Sequence, residues 1–124
     1  MATATGVKIT GIDFHGYLVK DAARAIKFYK ETLGLKPTYE MEQGAEFELE
    51  DGSTFGVWRM DDAPWHPGSG VFFAVPNLHE AVEHLKTRGV KFLDEKPAES
   101  PVCHMIAAED TEGNFFMLHQ RKQQ

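Results

Sequence analysis

The sequence has little of what would place it outside ordinary globular proteins. It contains one cysteine, Cys103, among 124 residues, so no disulfide can form within the chain. No apolar run approaches the ~20 residues that a membrane-spanning helix needs. The N-terminal residues lack the apolar stretch of a secretory signal peptide. These absences predict a cytoplasmic protein with no membrane partner.

The sequence also lacks an excess of positive charge. It has 13 lysines and arginines against 19 aspartates and glutamates, which gives a net charge of −6. Because nucleic-acid binding needs a basic face, we predict no nucleic-acid partner. The charge permits a neutral or cationic small molecule. A hydrophobic content of 42% in a chain of this length is typical of one folded domain over residues 1–124.

Two amphipathic helices are predicted, over residues 21–33 and 78–88. Each begins at a residue type that caps helix N-termini, Asp21 in the first and Asn77 in the second. A glycine suited to the left-handed C′ position follows each one, Gly34 and Gly89.

The two halves of the sequence resemble each other. Val19 matches Val75 and Ala25 matches Ala81 at the same spacing, and the later segment Asp51-Gly52-Ser53 matches Glu112-Gly113-Asn114. We therefore predict an α+β fold of two βαβββ modules, over about 7–60 and 70–121, joined by a Pro-rich linker at 61–69. The predicted strands are 8–19, 36–41, 46–50 and 54–60 in the first module, and 70–75, 91–94, 102–108 and 115–120 in the second.

The order and spacing of four short motifs carry a family resemblance. Val19-Lys-Asp21 is followed by Ala25-Ile-Lys-Phe28-Tyr29 and Leu33-Gly34-Leu35, and the second half has Asp110-Thr-Glu-Gly113-Asn114. This pattern resembles the vicinal oxygen chelate superfamily, which includes glyoxalase I, extradiol dioxygenases and bleomycin-resistance proteins. The resemblance implies that the modules form a curved mixed sheet enclosing a cleft, with the helices outside. It also implies a homodimer.

Many members of that family hold a divalent metal in the cleft, through four strand positions that carry His, Gln or Glu. Transferred to this sequence, the positions are Phe14, Gly56, Gly70 and Met117. None of these side chains can ligate a hard divalent cation. The sequence therefore predicts neither the usual metal nor another cofactor.

Because side chains alternate between the two faces of a strand, the neighbours of these positions in the cleft can be predicted. They are mostly aromatic or apolar, and the glycines leave room for a flat molecule. Trp65, in the linker, would fold over the mouth of the cleft. The candidate ligand-binding residues are Phe14, Trp58, Phe72, Met117, His119 and Trp65.

Two alternatives stay open for these residues. The rings of Phe14, Trp58 and Phe72 could pack on one another and fill the cleft as ordinary core. Trp65 could be a surface or interface residue and not a lid.

The sequence supports three functions. The preferred one is a metal-independent binding protein of the bleomycin-resistance type, with a planar aromatic ligand. The second is a glyoxalase-type lyase, isomerase or dioxygenase whose metal is held by rearranged ligands such as Glu48, His104 and His119. There His119 is the best candidate for a general base, with His104 as its partner. The third is a partner-binding module whose cleft is closed.

Glu46, Glu48 and Glu50 alternate along the predicted strand 46–50. The side of the sheet on which they lie depends on the turn at Asp51-Gly52. A two-residue turn would pair Phe47 with Gly56 and direct the glutamates away from the cleft, which is the preferred interpretation. A longer turn would place Glu48 beside Gly56, inside the cleft.

Overall fold

The computed structural model describes residues 6–8, 10–61 and 64–122. It confirms the α+β fold of two βαβββ modules, and the second module has one short additional strand, β7. The first module contains β1 (His15–Leu18), α1 (Ala22–Lys27), β2 (Pro37–Met41), β3 (Gly44–Glu48) and β4 (Thr54–Trp58). The second contains β5 (Val71–Ala74), α2 (Leu78–Thr87), β6 (Lys91–Phe92), β7 (Ala98–Glu99), β8 (Cys103–Glu109) and β9 (Phe115–Arg121).

The helices begin and end where the sequence indicates. The Asp21 side chain accepts a hydrogen bond from the Arg24 N–H, and Asn77 does the same for the Glu80 N–H. Gly34 and Gly89 have φ angles of +75° and +80°, which confirms their left-handed C′ conformation. The first helix differs in one respect, because after α1 it widens into a π-helical segment, Phe28–Thr32.

Each module forms its own mixed sheet. The strand order is β1-β4-β3-β2 in the first sheet and β5-β9-β8-β6 in the second, with the short β7 also paired to β8. The pairs β1–β4 and β5–β9 are parallel and the others antiparallel. The first strand is shorter than predicted, since it begins at His15.

One aromatic cluster joins the modules. Tyr29 lies in the π-helical segment, and its ring centroid is 4.9 Å from that of Phe55 and 6.4 Å from that of Phe73. Phe47 and Phe116 belong to the same cluster, and all five side chains are buried. Since strands of both sheets supply these rings, the two modules share a single core.

Hydrogen bonds from the first module to the β8–β9 turn reinforce this junction. Arg24 of α1 forms an ion pair with Glu112, with 2.6 Å between Nε and Oε2. The Asp21 N–H also donates to the Glu112 carboxylate, over 3.1 Å. The Tyr17 hydroxyl donates to the Phe115 carbonyl oxygen. The turn of the second module is therefore fixed against the first turn of α1. Within the described residues, no helix is long and apolar enough to cross a membrane.

Candidate functional site

In each sheet, the face opposite the helices carries the predicted cleft residues that lie on strands, whereas Phe14 comes just before β1 and Trp65 lies in the linker. In the first sheet, α1 covers the side on which Phe55 and Val57 are buried. Side chains alternate along a strand, so Gly56 and Trp58 of β4 point to the other side. We call this side the first open face, and the corresponding side of the second sheet the second open face.

The first open face is built from residues in register on neighbouring strands. Gly16 of β1, Gly56 of β4 and Glu46 of β3 form one row. The next row contains Leu18, Trp58 and Gly44. Residues in register point to the same side of a sheet, so each row lies on the first open face. The β2 partners Tyr39 and Met41 extend these two rows to the edge of the sheet.

Two aromatic side chains lie against the glycines of this face. A methyl group on Gly56 would be 2.9 Å from Trp58 Nε1 and 3.5 Å from Phe14 Cδ2. One on Gly16 would be 2.9 Å from Phe14 Cε2, and one on Gly44 would be 2.5 Å from Trp58 Cε3. Only residues without a β-carbon let both rings approach the sheet this closely. The rings of Phe14 and Trp58 therefore pack directly on these glycines, and we call them the seated rings. They occupy part of the space above Gly56.

The second open face carries a ring, a thioether and an imidazole. Phe72 of β5 is in register with Met117 of β9, and Ala74 with His119. The rings of Phe72 and His119 meet edge to face, with their centroids 6.0 Å apart. Phe72 is 51% exposed and Phe14 is 40% exposed. Each open face thus presents an aromatic side chain to solvent.

The open-face rings do not fill a common core. Among the described residues, no aromatic pair joins Phe14, Trp58 and Phe72 to one another. Within the described residues there is a cavity of about 350 Å³ between α1 and β2, and one of about 150 Å³ beside Gly68. Neither of them is lined by Phe14, Trp58, Phe72, Met117 or His119, although Met41 lines the first and Phe115 the second.

The glutamates of β3 lie where the preferred interpretation of the sequence did not place them. The turn is longer than two residues, because the Leu49 N–H donates to the Ser53 carbonyl oxygen across three loop residues. Glu46 is consequently in register with Gly56 and Glu48 with Thr54. The prediction that the glutamates turn away from the cleft was wrong, and both lie on the first open face. Glu46 and not Glu48 is beside Gly56.

The signal for this longer turn is present in the sequence. Asp51 Oδ1 accepts hydrogen bonds from the Ser53 N–H and the Ser53 hydroxyl, over 3.0 and 2.6 Å. Such an Asx turn followed by Gly52, at φ +86°, favours a three-residue loop. The residues that sequence reasoning missed are therefore Glu46, together with Tyr39 and Met41 at the sheet edge.

The two candidate catalytic histidines are on opposite sides of the second sheet. Met105 is in register with His119, and His104 is in register with Gln120. Adjacent residues of a strand point to opposite faces, so His104 lies on the helix side and His119 on the second open face. The hypothesis that they act as partners was wrong. Across the described ranges, no group of three or more His, Cys, Asp or Glu side chains could hold a metal ion.

The metal positions implied by the family resemblance can be tested on the side chains present. Phe14 approaches Gly56 on the first open face, and Met117 lies beside Phe72 on the second. Gly70, at φ +104°, immediately precedes β5. A phenyl ring, a thioether and two glycines offer no hard oxygen or nitrogen donor. These residues do not fit the metal that the family resemblance implies.

Trp65 is attached to the end of β1. Its indole N–H donates to the Leu18 carbonyl oxygen over 3.1 Å, and Lys20 Nζ is 4.4 Å from its ring centroid. The side chain is partly buried. Its role in a cleft stays a prediction.

Comparison with solved structures places this fold among known proteins. TnmS3, an antibiotic binding protein from Streptomyces sp. CB03234, matches with a TM-score of 0.78 and 18% identity over 94% of this chain and 100% of that one. A glyoxalase/bleomycin resistance protein/dioxygenase from Nocardioides matches with a TM-score of 0.71 and 21% identity, over 96% and 88%. Lactoylglutathione lyase from Agrobacterium tumefaciens gives 0.72 and 15%, over 91% and 95%. At these identities, the similarity establishes the fold alone.

The family is established by the sequence. Comparison with curated proteins finds no match. The model of the glyoxalase/bleomycin resistance protein/dioxygenase superfamily, however, matches residues 11–118, which is most of the chain. Together with the two βαβββ modules, this match means that the chain belongs to the glyoxalase/bleomycin resistance protein/dioxygenase superfamily.

Proposed function

We propose that this protein binds a small planar molecule on its aromatic open faces, as a metal-independent binding protein of the bleomycin-resistance type. The observation that carries the proposal is the seating of Phe14 and Trp58 against Gly56, because Phe14 and Gly56 are two of the positions at which the family resemblance implies metal ligands. A site that carries rings in place of donor atoms binds by contact area and stacking. Each aromatic pair adds about 0.5–1.5 kcal/mol beyond the area buried.

Exposure supports the same function. Phe72 is about half exposed although it is a large apolar side chain on a regular strand. Large aromatic side chains are usually buried, so an exposed one on a face rich in apolar groups favours a binding surface. The similarity in fold to an antibiotic binding protein is consistent with this proposal.

We also propose that two copies associate as a homodimer, so that open faces of the two chains form the walls of a cleft. Within one chain, aromatic residues on both open faces are 40–54% exposed, namely Phe14, Tyr39, Phe72 and Phe115. A ligand that stacks on only one such face would leave its other side in water. Association that covers these rings would remove apolar area from water and would enclose the ligand. The cytoplasmic location stays a prediction from the sequence.

A thermal-shift screen with planar aromatic compounds tests the proposal. A ligand that binds the folded state alone raises the melting temperature. We expect stabilisation of the wild type and its loss in Phe14→Ala and Trp58→Ala. The control is Val102→Ala, since Val102 is 65% exposed and lies outside the open faces. Stabilisation that survives in Trp58→Ala would contradict the proposed site.

Metal analysis of the purified protein supplies a second, independent test. We expect no stoichiometric zinc, nickel, manganese or iron. A bound ion in equal proportion to the chain would overturn the metal-independent part of the proposal.

A further inference from the structure

We propose that the ligand is a planar aromatic cation whose positive charge is bound by Glu46. This inference rests on the proposed function, since it assigns a charge to the molecule that stacks on the open-face rings. The inference depends on two observations. One is the position of the β3 carboxylates on the first open face, and the other is the residue that the second module has at the position of Glu46.

Glu46 is an ionisable side chain on the same open face as the seated rings. It shares a row with Gly56, against which both Phe14 and Trp58 lie. Neighbouring strands are about 4.8 Å apart, so the Glu46 side chain leaves the sheet within one strand spacing of the glycine that seats the rings. Glu46 is partly buried, and Glu48 follows on the same face, in register with Thr54.

These carboxylates lack an internal partner. In the part of the chain that the structure describes, neither the Glu46 nor the Glu48 carboxylate takes part in an ion pair or accepts a hydrogen bond; the Thr38 hydroxyl donates to the backbone carbonyl oxygen of Glu46, not to its carboxylate. By contrast, the open-face carboxylate of the second module, Glu109, pairs with Lys91 over 3.2 Å. Removing a carboxylate from water without a partner is costly, so covering Glu46 with a ligand favours one that carries a positive charge.

The repeat shows that the fold does not require this charge. Glu46 pairs with Gly56 in the first module, and Ala107 pairs with Met117 at the equivalent place in the second. A small apolar residue is therefore accepted at this position of the βαβββ unit. The carboxylate and the rings of Phe14 and Trp58 occur together in the first module only.

This combination selects one chemical class. The face of an aromatic ring attracts a cation, and the attraction increases when water is excluded. An adjacent carboxylate adds a Coulombic attraction that strengthens as the local dielectric constant falls. A planar cation satisfies both groups, whereas a neutral ring uses only the stacking surface and an anion is repelled by Glu46.

Three compounds with the same ring system test the inference by isothermal titration calorimetry at neutral pH. They are 9-aminoacridine, which is a cation there, acridine, which is neutral, and acridine-9-carboxylate, which is an anion. We expect the wild type to bind the cation at least tenfold more tightly than acridine, and to bind the anion most weakly. In Glu46→Gln, which keeps the shape of the side chain, the cation should lose this advantage while acridine binds as before.

The matched control is Glu95→Gln, which makes the same charge change at an exposed position of the second module. It should leave all three affinities unchanged. Equal binding of acridine and 9-aminoacridine, or an unchanged preference in Glu46→Gln, would overturn the assignment of charge and leave the proposed function standing. If the wild type binds none of the compounds, both proposals are wrong.

Discussion

The hydroxyl of Tyr29 in the first module donates a hydrogen bond to the Asp110 carboxylate in the second, with 2.7 Å between the oxygens, and both side chains are buried. Burial and the nearby Asp110 carboxylate raise the pKa of Tyr29, so the phenol keeps its proton and donates at neutral pH. This bond links the helical segment of one module to the hairpin turn of the other.

Removal of the Tyr29 hydroxyl should weaken the junction between the modules. Tyr29→Phe keeps the ring in the aromatic cluster and leaves a lone pair of buried Asp110 without its donor. We expect a loss of about 1–3 kcal/mol in the free energy of unfolding, measured by urea denaturation. Tyr39→Phe is the matched control, because Tyr39 is 54% exposed. Similar losses in the two variants would contradict a role for the buried bond.

Glu112 should make stability depend on pH. Burial acts to raise the pKa of Glu112, but hydrogen bonds from the Arg24 guanidinium, the Asp21 N–H and the Thr111 hydroxyl outweigh it and lower the pKa below its usual value. The folded state therefore holds the proton less tightly than the unfolded chain. This contribution to stability is present above about pH 4.3 and is lost as the pH falls through the folded pKa.

The test compares wild type and Glu112→Gln by urea denaturation between about pH 7 and pH 3. The difference in their free energies of unfolding should shrink as the pH falls below about 4. Glu95→Gln should show no such pH-dependent difference, since Glu95 is exposed. If the difference in free energy of unfolding between wild type and Glu112→Gln is the same at every pH, the Glu112 carboxylate is not the source of the pH dependence.

Gly56→Ala should disturb the seat of the rings. The added methyl group would lie 2.9 Å from Trp58 Nε1 and 3.3 Å from the Ala45 carbonyl oxygen, so the indole must move. We expect a change in Trp58 fluorescence and weaker ligand binding, by about 0.5–1.5 kcal/mol for each ring that no longer stacks on the ligand. The fluorescence is measured in a Trp65→Phe background, since the sequence has two tryptophans.

Gly11→Ala serves as the control for this change. A methyl group at Gly11 meets no atom within 4 Å, so fluorescence and binding should stay as in the parent. If Gly56→Ala leaves both unchanged, Trp58 is not seated on Gly56 as described.

Phe72 and Phe73 are consecutive residues with opposite roles. Phe73 is buried in the aromatic cluster and is 9% exposed, whereas Phe72 lies on the second open face. We expect Phe73→Ala to cost about 3–5 kcal/mol in the free energy of unfolding. Phe72→Ala should cost less than about 1 kcal/mol and should weaken ligand binding. If urea denaturation shows a larger loss for Phe72→Ala than for Phe73→Ala, then Phe72 and not Phe73 faces the core.

Much of the fold could be predicted because its signals are local. The caps Asp21 and Asn77 and the left-handed Gly34 and Gly89 act within one helical turn, so sequence alone located both helices. The repeat then predicted the modules. The π-helical widening at Phe28–Thr32 was not predicted, because Tyr29 takes that position in an aromatic cluster whose other rings come from both sheets.

The candidate site was less predictable because it depends on register. A single additional loop residue at Glu50–Gly52 moves every side chain of β3 to the other face, and the glutamates with them. The side of the sheet on which His104 lies depends on how β8 pairs with β9, which no local pattern specifies. Trp58 and Phe72 lie on the open faces because β4 and β5 alternate without interruption, and their contact with a ligand stays a prediction.

The shared core has a consequence for how such a gene could be divided. Phe47 and Phe55 come from one half of the repeat, Phe73 and Phe116 come from the other, and Tyr29 packs against all four. Separate expression of either half would leave this hydrocarbon surface in water. Two polypeptides encoded from either side of the linker should therefore be insoluble alone and should co-purify as one particle when produced in the same cell.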